Sequence, residues 1–353
     1  MTTLFDPLRV GKMELDNRIV MAPMTRSRAD DEGVQPPFAA EYYRQRASAG
    51  LIITEATNVS PMAKGYVRTP GVYTQDQVES WRAVTDAVHS HGGKIFMQLF
   101  HTGRIALPDF LPGNAQPVAP SAVIAQGSNY TDEGMKNFVM PREITKDEIA
   151  ATVYDFGVAS KNALEAGFDG VELHSASGYL VQQFLTTNVN LRTDEYGGSI
   201  ENRTRFFFEV LEAMRSEVGS SRLGVKFSPQ IKFNDIEELD AGEVYRYIFE
   251  RLNEKPLAYI QVTDQTGANW HARLRPLYNG LYFANGGFTR ESGAELLAQG
   301  GADAIAYGTK FLANPDLPER FRRDASLNKP DKDTFYTPGQ RGYLDYPTLA
   351  QSV

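Results

Sequence analysis

Cysteine is absent from the chain. That excludes disulfides, a thiolate nucleophile and any cysteine-ligated metal or iron–sulfur centre. Tryptophan is scarce, at two residues, and no basic run occurs. With 44 acidic residues against 36 lysines and arginines, the net charge is −8. Such a balance argues against nucleic acid or an anionic membrane as the main partner. No apolar stretch approaches the ~20 residues of a membrane-spanning helix. The opening "MTTLFDPLRVG" lacks the basic and apolar regions of a secretory leader. A soluble, cytoplasmic protein is therefore expected. His89, His91, His101 and His271 stand at no metal-ligand spacing with a carboxylate, so no metal site is expected. The turn "APMTRSRADD" has no GxGxxG, which speaks against a dinucleotide-binding open sheet.

What is present is an alternation. Short β-branched runs occur at Arg18–Met24, Leu51–Thr57, Lys94–Phe100, Asp169–His174, Arg222–Ser228, Leu257–Thr263, Leu281–Asn285 and Asp303–Gly308. Most are continuously apolar, the pattern of parallel strands covered on both faces. Helical spacing lies between them. Residues 146–166 align Ile149, Val153, Phe156 and Ala163, with Thr145 and Glu148 as a capping box and Gly167 as the stop. Residues 201–218 and 76–91 carry similar stripes. Eight strand–helix units predict one (β/α)₈ TIM barrel domain spanning residues 1–353. "LRVGKMELDN" reads as an N-terminal β-hairpin under the barrel floor. The Pro- and Gly-rich stretch 102–142, inserted after the third strand, reads as a cap over the mouth.

Barrel enzymes place their chemistry at the C-terminal ends of the strands. Those ends carry Pro23, Met24 and Thr25; Ala56; Gln98, Phe100 and His101; His174, Ser177 and Tyr179; Lys226; Gly286 and Gly287; and Gly308 with Thr309. The loops after strands seven and eight are the usual phosphate site of this fold. Gln98 can pair in both directions with an amide-like edge, and Lys226 can neutralise negative charge. A planar, amide-bearing, phosphorylated ligand suits the set.

The segments "NRIVMAPMTRSRA", "QLFHTGR", "AGFDGVELHSASGYLVQQFL", "RTDEYGGSIENR", "NGGFT", "FLANPDLPER" and "FYTPGQRGYLDYP" together resemble the old yellow enzymes, flavin-dependent ene-reductases. The resemblance covers nearly the whole chain. It implies FMN across the barrel mouth, near Pro23, Met24 and Thr25, with Ala56 offering backbone and Gln98 holding the pyrimidine edge. Gly286, Gly287, Gly308 and Thr309 would take the phosphate. NAD(P)H would reduce the flavin, and an activated alkene would then accept hydride. His174 and Ser177 would grip the substrate carbonyl oxygen, and Tyr179 would supply the proton. Phe100, His101 and Tyr336 would line the substrate pocket.

The sequence departs from that pattern at four positions. Ser177 stands where the family usually has His or Asn, Lys226 and Thr309 where it usually has Arg, and Phe100 where Trp is common. Two other readings follow. One is a flavin-independent double-bond isomerase working by proton transfer through Tyr179 or His174. The other is a barrel that only binds a ligand. Ser177 can also be read as a helix N-cap, "RTDEYGGSIENR" as scaffolding, and Tyr336 and Tyr343 as either pocket closure or packing. Substrate identity and oligomeric state are not legible.

Overall fold

The computed structural model describes residues 1–351. Its centre is a closed parallel sheet of eight strands: β1 (Ile19–Met21), β2 (Leu51–Ile53), β3 (Ile95–Phe100), β4 (Gly170–Ser175), β5 (Leu223–Phe227), β6 (Tyr259–Thr263), β7 (Tyr282–Asn285) and β8 (Ala304–Tyr307). Seven lie inside the runs marked by the sequence; β4 extends one residue further, to Ser175. The sheet is a (β/α)₈ barrel. β8 pairs with β1, and the β3–β4 ladder completes the ring by matching Phe96 with Gly170 and Gln98 with Glu172.

Alternate residues of each strand face inward, and their sizes set the barrel's filling. Val20, Leu51, Ile53, Phe96, Tyr259, Phe283 and Ala304 form a plug with Leu8, Val10 and Leu15. The last three come from the N-terminal hairpin, in which Leu8–Val10 pairs with Met13–Leu15. Tyr259 and Phe283 stack with ring centroids 4.3 Å apart. Gly224 is required beside them, because a Cβ there would collide with the Tyr259 ring.

Helices cover the outside. They include α1 (Ala39–Arg44), α2 (Gln75–His89), α3 (Lys146–Glu165) and α4 (Ile200–Val218). In α2, Trp81, Val84 and Val88 are buried. In α3, Thr145 Oγ1 accepts from the Glu148 N–H, and the Glu148 carboxylate accepts from the Thr145 N–H at 2.9 Å. Arg142 reinforces this cap by holding the Glu148 carboxyl down at about 2.

Residues 102–142 contain two small sheets. Val118–Ala119 pairs with Arg142–Glu143, and Ser128–Thr131 forms a hairpin with Gly134–Asn137. Arg192, from the acidic loop after β4, donates to the carbonyls of Pro120 and Ile144 at 3.1 and 2.8 Å. That loop therefore fastens the insertion to the barrel. The C-terminal segment is fastened differently. Arg28 donates to the carbonyls of Thr334, Phe335, Gly339 and Arg341, and Tyr343 stacks on Tyr42 at 3.9 Å beneath Arg26 and Arg28. Tyr343 is thus buried framework, whereas Tyr336 is exposed at the mouth. Among the described residues, no helix is long and apolar enough to cross a membrane.

The α3 cap gives a direct test. Thr145→Ala removes the hydroxyl acceptor and should lower stability by about 1 kcal/mol, read from denaturant midpoints at unchanged m-value. An unchanged midpoint would mean that the Arg142–Glu148 pair alone holds this end of the helix.

Candidate functional site

Two cavities open at the C-terminal ends of the strands. The first, of about 530 Å³, is lined by Thr25, Tyr66, Asn129, Tyr130, Tyr179, Phe233 and Tyr336 among others. The second, of about 430 Å³, is lined by Pro23, Met24, Ser177, Lys226, Thr263, Asn285, Gly287, Gly308, Thr309 and Lys310 among others. Met24 and Thr25 are consecutive, and Ser177 and Tyr179 share one turn. The loops after β1 and β4 therefore serve both cavities.

The β4 turn sets the geometry. Ser177 sits in the left-handed region, with φ at 57°. Its N–H donates to Ser228 Oγ at 2.8 Å, and its carbonyl accepts from Asn234 Nδ2 at 2.7 Å. The reversal lets Tyr179, not Ser177, become the N-cap of the short helix Leu180–Leu185. The N-cap reading of Ser177 is corrected accordingly. Its side chain lines the cavity that holds Lys226, apart from Tyr179.

His174, Phe100, Tyr179 and Tyr66 form an aromatic wall. Ring centroids are 5.0 Å apart for His174–Tyr179 and 5.4 Å for Phe100–Tyr179. The Tyr66 and Tyr179 hydroxyls are hydrogen-bonded at 2.9 Å. Burial, reinforced by the neighbouring Tyr66, pushes the Tyr179 phenol well above its ordinary range. It is therefore protonated at neutral pH. Burial, helped by the charge of Lys226, pushes His174 well down. Its imidazole is neutral there, and Nδ1 has no partner within the protein.

Several expected residues take other places. Neither His101 nor His174 lines a cavity directly, but the Nδ1 of His101, unlike that of His174, is already occupied: it accepts from the Gly103 N–H at 3.0 Å, and burial lowers His101 to about 3. Its role is to hold the turn after β3. Phe100 is likewise buried, reaching the site only through His174 and Tyr179. Ala56 and Gln98 are buried beneath the cavities. Gly286 and Gly287 separate by function. At Gly286, with φ of 150°, a Cβ would collide with the Asp264 carbonyl; at Gly287, with φ of 83°, a Cβ would meet nothing within 4 Å. Only Gly287 presents bare backbone to the cavity.

Sequence reasoning missed Tyr66, Phe233 and Glu172. Tyr66 and Phe233 lie in loops without periodicity, where no spacing marks them. Glu172 was concealed inside the apolar run "GVELH".

Comparison with known proteins bears on this geometry. The model of the NADH:flavin oxidoreductase / NADH oxidase family matches residues 3–328. The chain belongs to this family, that of the old yellow enzymes. It is 44% identical to 12-oxophytodienoate reductase 1 of Oryza sativa subsp. japonica, over 99% of this chain and 93% of that protein. It is also 44% identical to a probable flavin mononucleotide-dependent alkene reductase of Leishmania infantum, over 98% of this chain and 97% of the relative. Among solved structures, morphinone reductase in complex with tetrahydroNAD superposes with a TM-score of 0.95 at 42% identity, covering 99% and 98% of the two chains. The old yellow enzyme homologue from Zymomonas mobilis gives a TM-score of 0.95 at 39% identity, covering 99% and 100%.

The donors of this old yellow enzyme fit FMN. Both amide atoms of Gln261, Thr263 Oγ1 and His174 Nδ1 are buried without protein partners, an arrangement that native interiors avoid unless a ligand completes it. Lys226 makes no ion pair among the described residues, and burial lowers its pKa against the opposing pull of Glu172. Gly287 leaves open backbone, and Lys310 adds a second cation beside it.

The two glycines should respond differently to substitution. Gly286→Ala forces backbone apart and should cost stability at the upper end of the ~0.5–3 kcal/mol range. Gly287→Ala should cost only about 1–2 kcal/mol for its left-handed backbone, while weakening FMN uptake. Thermal unfolding and flavin titration of both variants check this. Equal stability losses would remove the distinction.

Proposed function

We propose that this chain works as an FMN-dependent ene-reductase, in which the basic cavity holds the flavin and the aromatic cavity holds the alkene. It oxidises NAD(P)H and reduces the activated C=C bond of an α,β-unsaturated carbonyl compound, a small-molecule substrate. The observation that carries the division of labour is the pairing of neutral His174 and protonated Tyr179 beside a lysine- and glycine-lined cavity.

When bound, FMN supplies hydride transfer between the nicotinamide and the alkene. Thr25, Gln98 and Lys226 would hold its ring system, and Gly287, Gly308, Thr309 and Lys310 its phosphate end. Lys226 would offset negative charge on the pyrimidine side. His174 would donate its imidazole N–H to the substrate carbonyl oxygen, where negative charge develops as hydride reaches the β-carbon; a donor preplaced there lowers the barrier. Ser177 lines the neighbouring cavity; His174 stands in the aromatic wall against Tyr179, and its unpartnered Nδ1 would be the atom that meets the carbonyl oxygen. Tyr179 would give its hydroxyl proton to the α-carbon, and a positioned general acid contributes typically ~10²–10⁴-fold. The Tyr66 hydroxyl, 2.9 Å away, would leave that proton free for the alkene by donating to the Tyr179 oxygen. Phe233, Tyr130 and Tyr336 would shield the alkene from water at the mouth.

The absorption spectrum after FMN loading tests the flavin assignment, and stopped-flow kinetics test the roles. Tyr179→Phe should slow alkene reduction by about 10²–10⁴-fold while leaving reduction of the flavin by NAD(P)H unchanged. Full alkene turnover in this variant would remove Tyr179 as the acid. Turnover of an enone by flavin-free protein without reductant would instead mark a proton-transfer isomerase built on the same residues.

A further inference from the structure

Beneath the two cavities lies a buried polar layer whose central residue the proposed mechanism does not use. Glu172 is fully buried on β4. Its Oε1 accepts from Gln98 Nε2 at 2.7 Å; its Oε2 has no hydrogen bond of regular geometry, and the Tyr259 hydroxyl is the nearby donor that faces the carboxyl. The β3–β4 register sets Glu172 beside Gln98. On its other side the register sets it beside Gly224, which has no side chain to compete. The Tyr259 ring fills that space, with its hydroxyl near enough for its charge to be coupled to the carboxyl. One step toward the mouth, Lys226 pairs in register with His174 and with Gln261. The titratable groups around Glu172 are therefore Lys226 on β5, His174 on β4 and Tyr259 on β6.

A carboxyl group held by one regular hydrogen bond and the nearby Tyr259 hydroxyl in a barrel core weakens the fold compared with apolar packing. Its retention needs another reason, and its bond to Gln98 supplies one. Burial raises the Glu172 carboxyl to about 7 against the opposing pull of Lys226, so it is largely ionised only above that pH, and an ionised carboxylate only accepts hydrogen bonds. It therefore turns the Gln98 amide so that Nε2 faces it, leaving Oε1 as the acceptor available to a bound group. Without that constraint both faces of the amide are nearly equivalent, and half the rotamers present the wrong atom. When ionised, the same carboxylate places a negative charge one layer below Lys226 and tempers its field.

We infer that Glu172 is a positioning residue of the flavin site: it fixes the orientation of the Gln98 amide and, with Lys226, sets the electrostatic field in which the flavin is reduced. This rests on the flavoprotein reading above. Glu172→Gln keeps the shape, removes the charge and frees the amide. Glu172→Asp keeps the charge and withdraws the contact.

The test is FMN affinity, by quenching of flavin fluorescence, and midpoint potential of the bound flavin, for wild type, E172Q, E172D, Q98A and E172Q/Q98A. At a pH well above 7, where the Glu172 carboxyl is ionised, removing its negative charge near the flavin favours the reduced form. E172Q should raise the ratio of reduced to oxidised affinity about tenfold, a shift of about +30 mV for a two-electron couple. E172D should lose FMN affinity with little change in potential. The loss of oxidised-FMN affinity caused by E172Q should vanish in the Q98A background. Unaltered affinity and potential in both single variants, or an E172Q affinity loss undiminished by Q98A, would overturn the inference. Should E172Q fail to fold, E172D decides the positioning role alone: FMN affinity equal to wild type would overturn it. Wild-type protein that takes up no FMN would defeat the flavin reading itself, and this inference with it.

Discussion

Closure of the sheet between β3 and β4 is the constraint on which the rest depends. Six strands separate these two when the ring is followed the other way, so their register is fixed by the whole barrel. The register that pairs Phe96 with Gly170 and Gln98 with Glu172 also decides what faces inward. A slip of one residue would turn Glu172 and His174 outward and Leu173 inward. Gly170 and Gly224 make the register achievable, because the Phe96 and Tyr259 rings occupy the space their side chains would need. Sterics at the bottom of the barrel thus fix the polar layer above it, and that layer supports the mouth.

The mouth itself is assembled from loops that have little structure of their own. They are ordered by arginines donating to carbonyls. Arg26 and Arg28 bind the C-terminal segment to the loop after β1, Arg192 binds the insertion, and Arg104 binds the loop after β5 through Asn234 and Asp235. A guanidinium presents five donors in a planar fork, so one side chain can satisfy several carbonyls that no ladder pairs. Burying these carbonyls unpaired would be costly. Two of these clamps place walls of the aromatic cavity: Tyr336 by the first, Phe233 by the last.

The architecture was legible because its signals are local. Continuous apolar runs marked every barrel strand, and Thr145 with Glu148 marked the start of α3. Strand ends gave the positions of Thr25, Lys226 and Tyr179. What was hidden depends on separations the sequence does not display. Gln98 and Glu172 lie 74 residues apart, and their bond exists only once the barrel closes. Tyr66 meets Tyr179 across 113 residues. Gly286 and Gly287 are identical as letters, yet one is demanded by the Asp264 carbonyl and the other opens onto a cavity. His101 carried a chemical residue type at a strand end, but its ring was claimed by the Gly103 N–H.

Three of the four positions where the sequence departs from its family's usual residues, Ser177, Lys226 and Thr309, line the same cavity; the fourth, Phe100, packs behind the other one. Three of the four departures thus meet in one place. Losing an arginine fork removes hydrogen bonds to charged groups worth about 1.5–3 kcal/mol each, or one to two decades in affinity. The cavity keeps its cationic character through Lys226 and Lys310, and its small hydroxyls, Ser177, Thr263 and Thr309, add donors without bulk. Ammonium groups act as point charges, whereas the guanidinium fork fixes direction. On the proposed reading, anion recognition would lean on charge and bare backbone at Gly287 more than on bidentate geometry. The oriented contacts to the flavin then fall to the buried amides, and the orientation of Gln98 by Glu172 gains weight because the forks above it are gone.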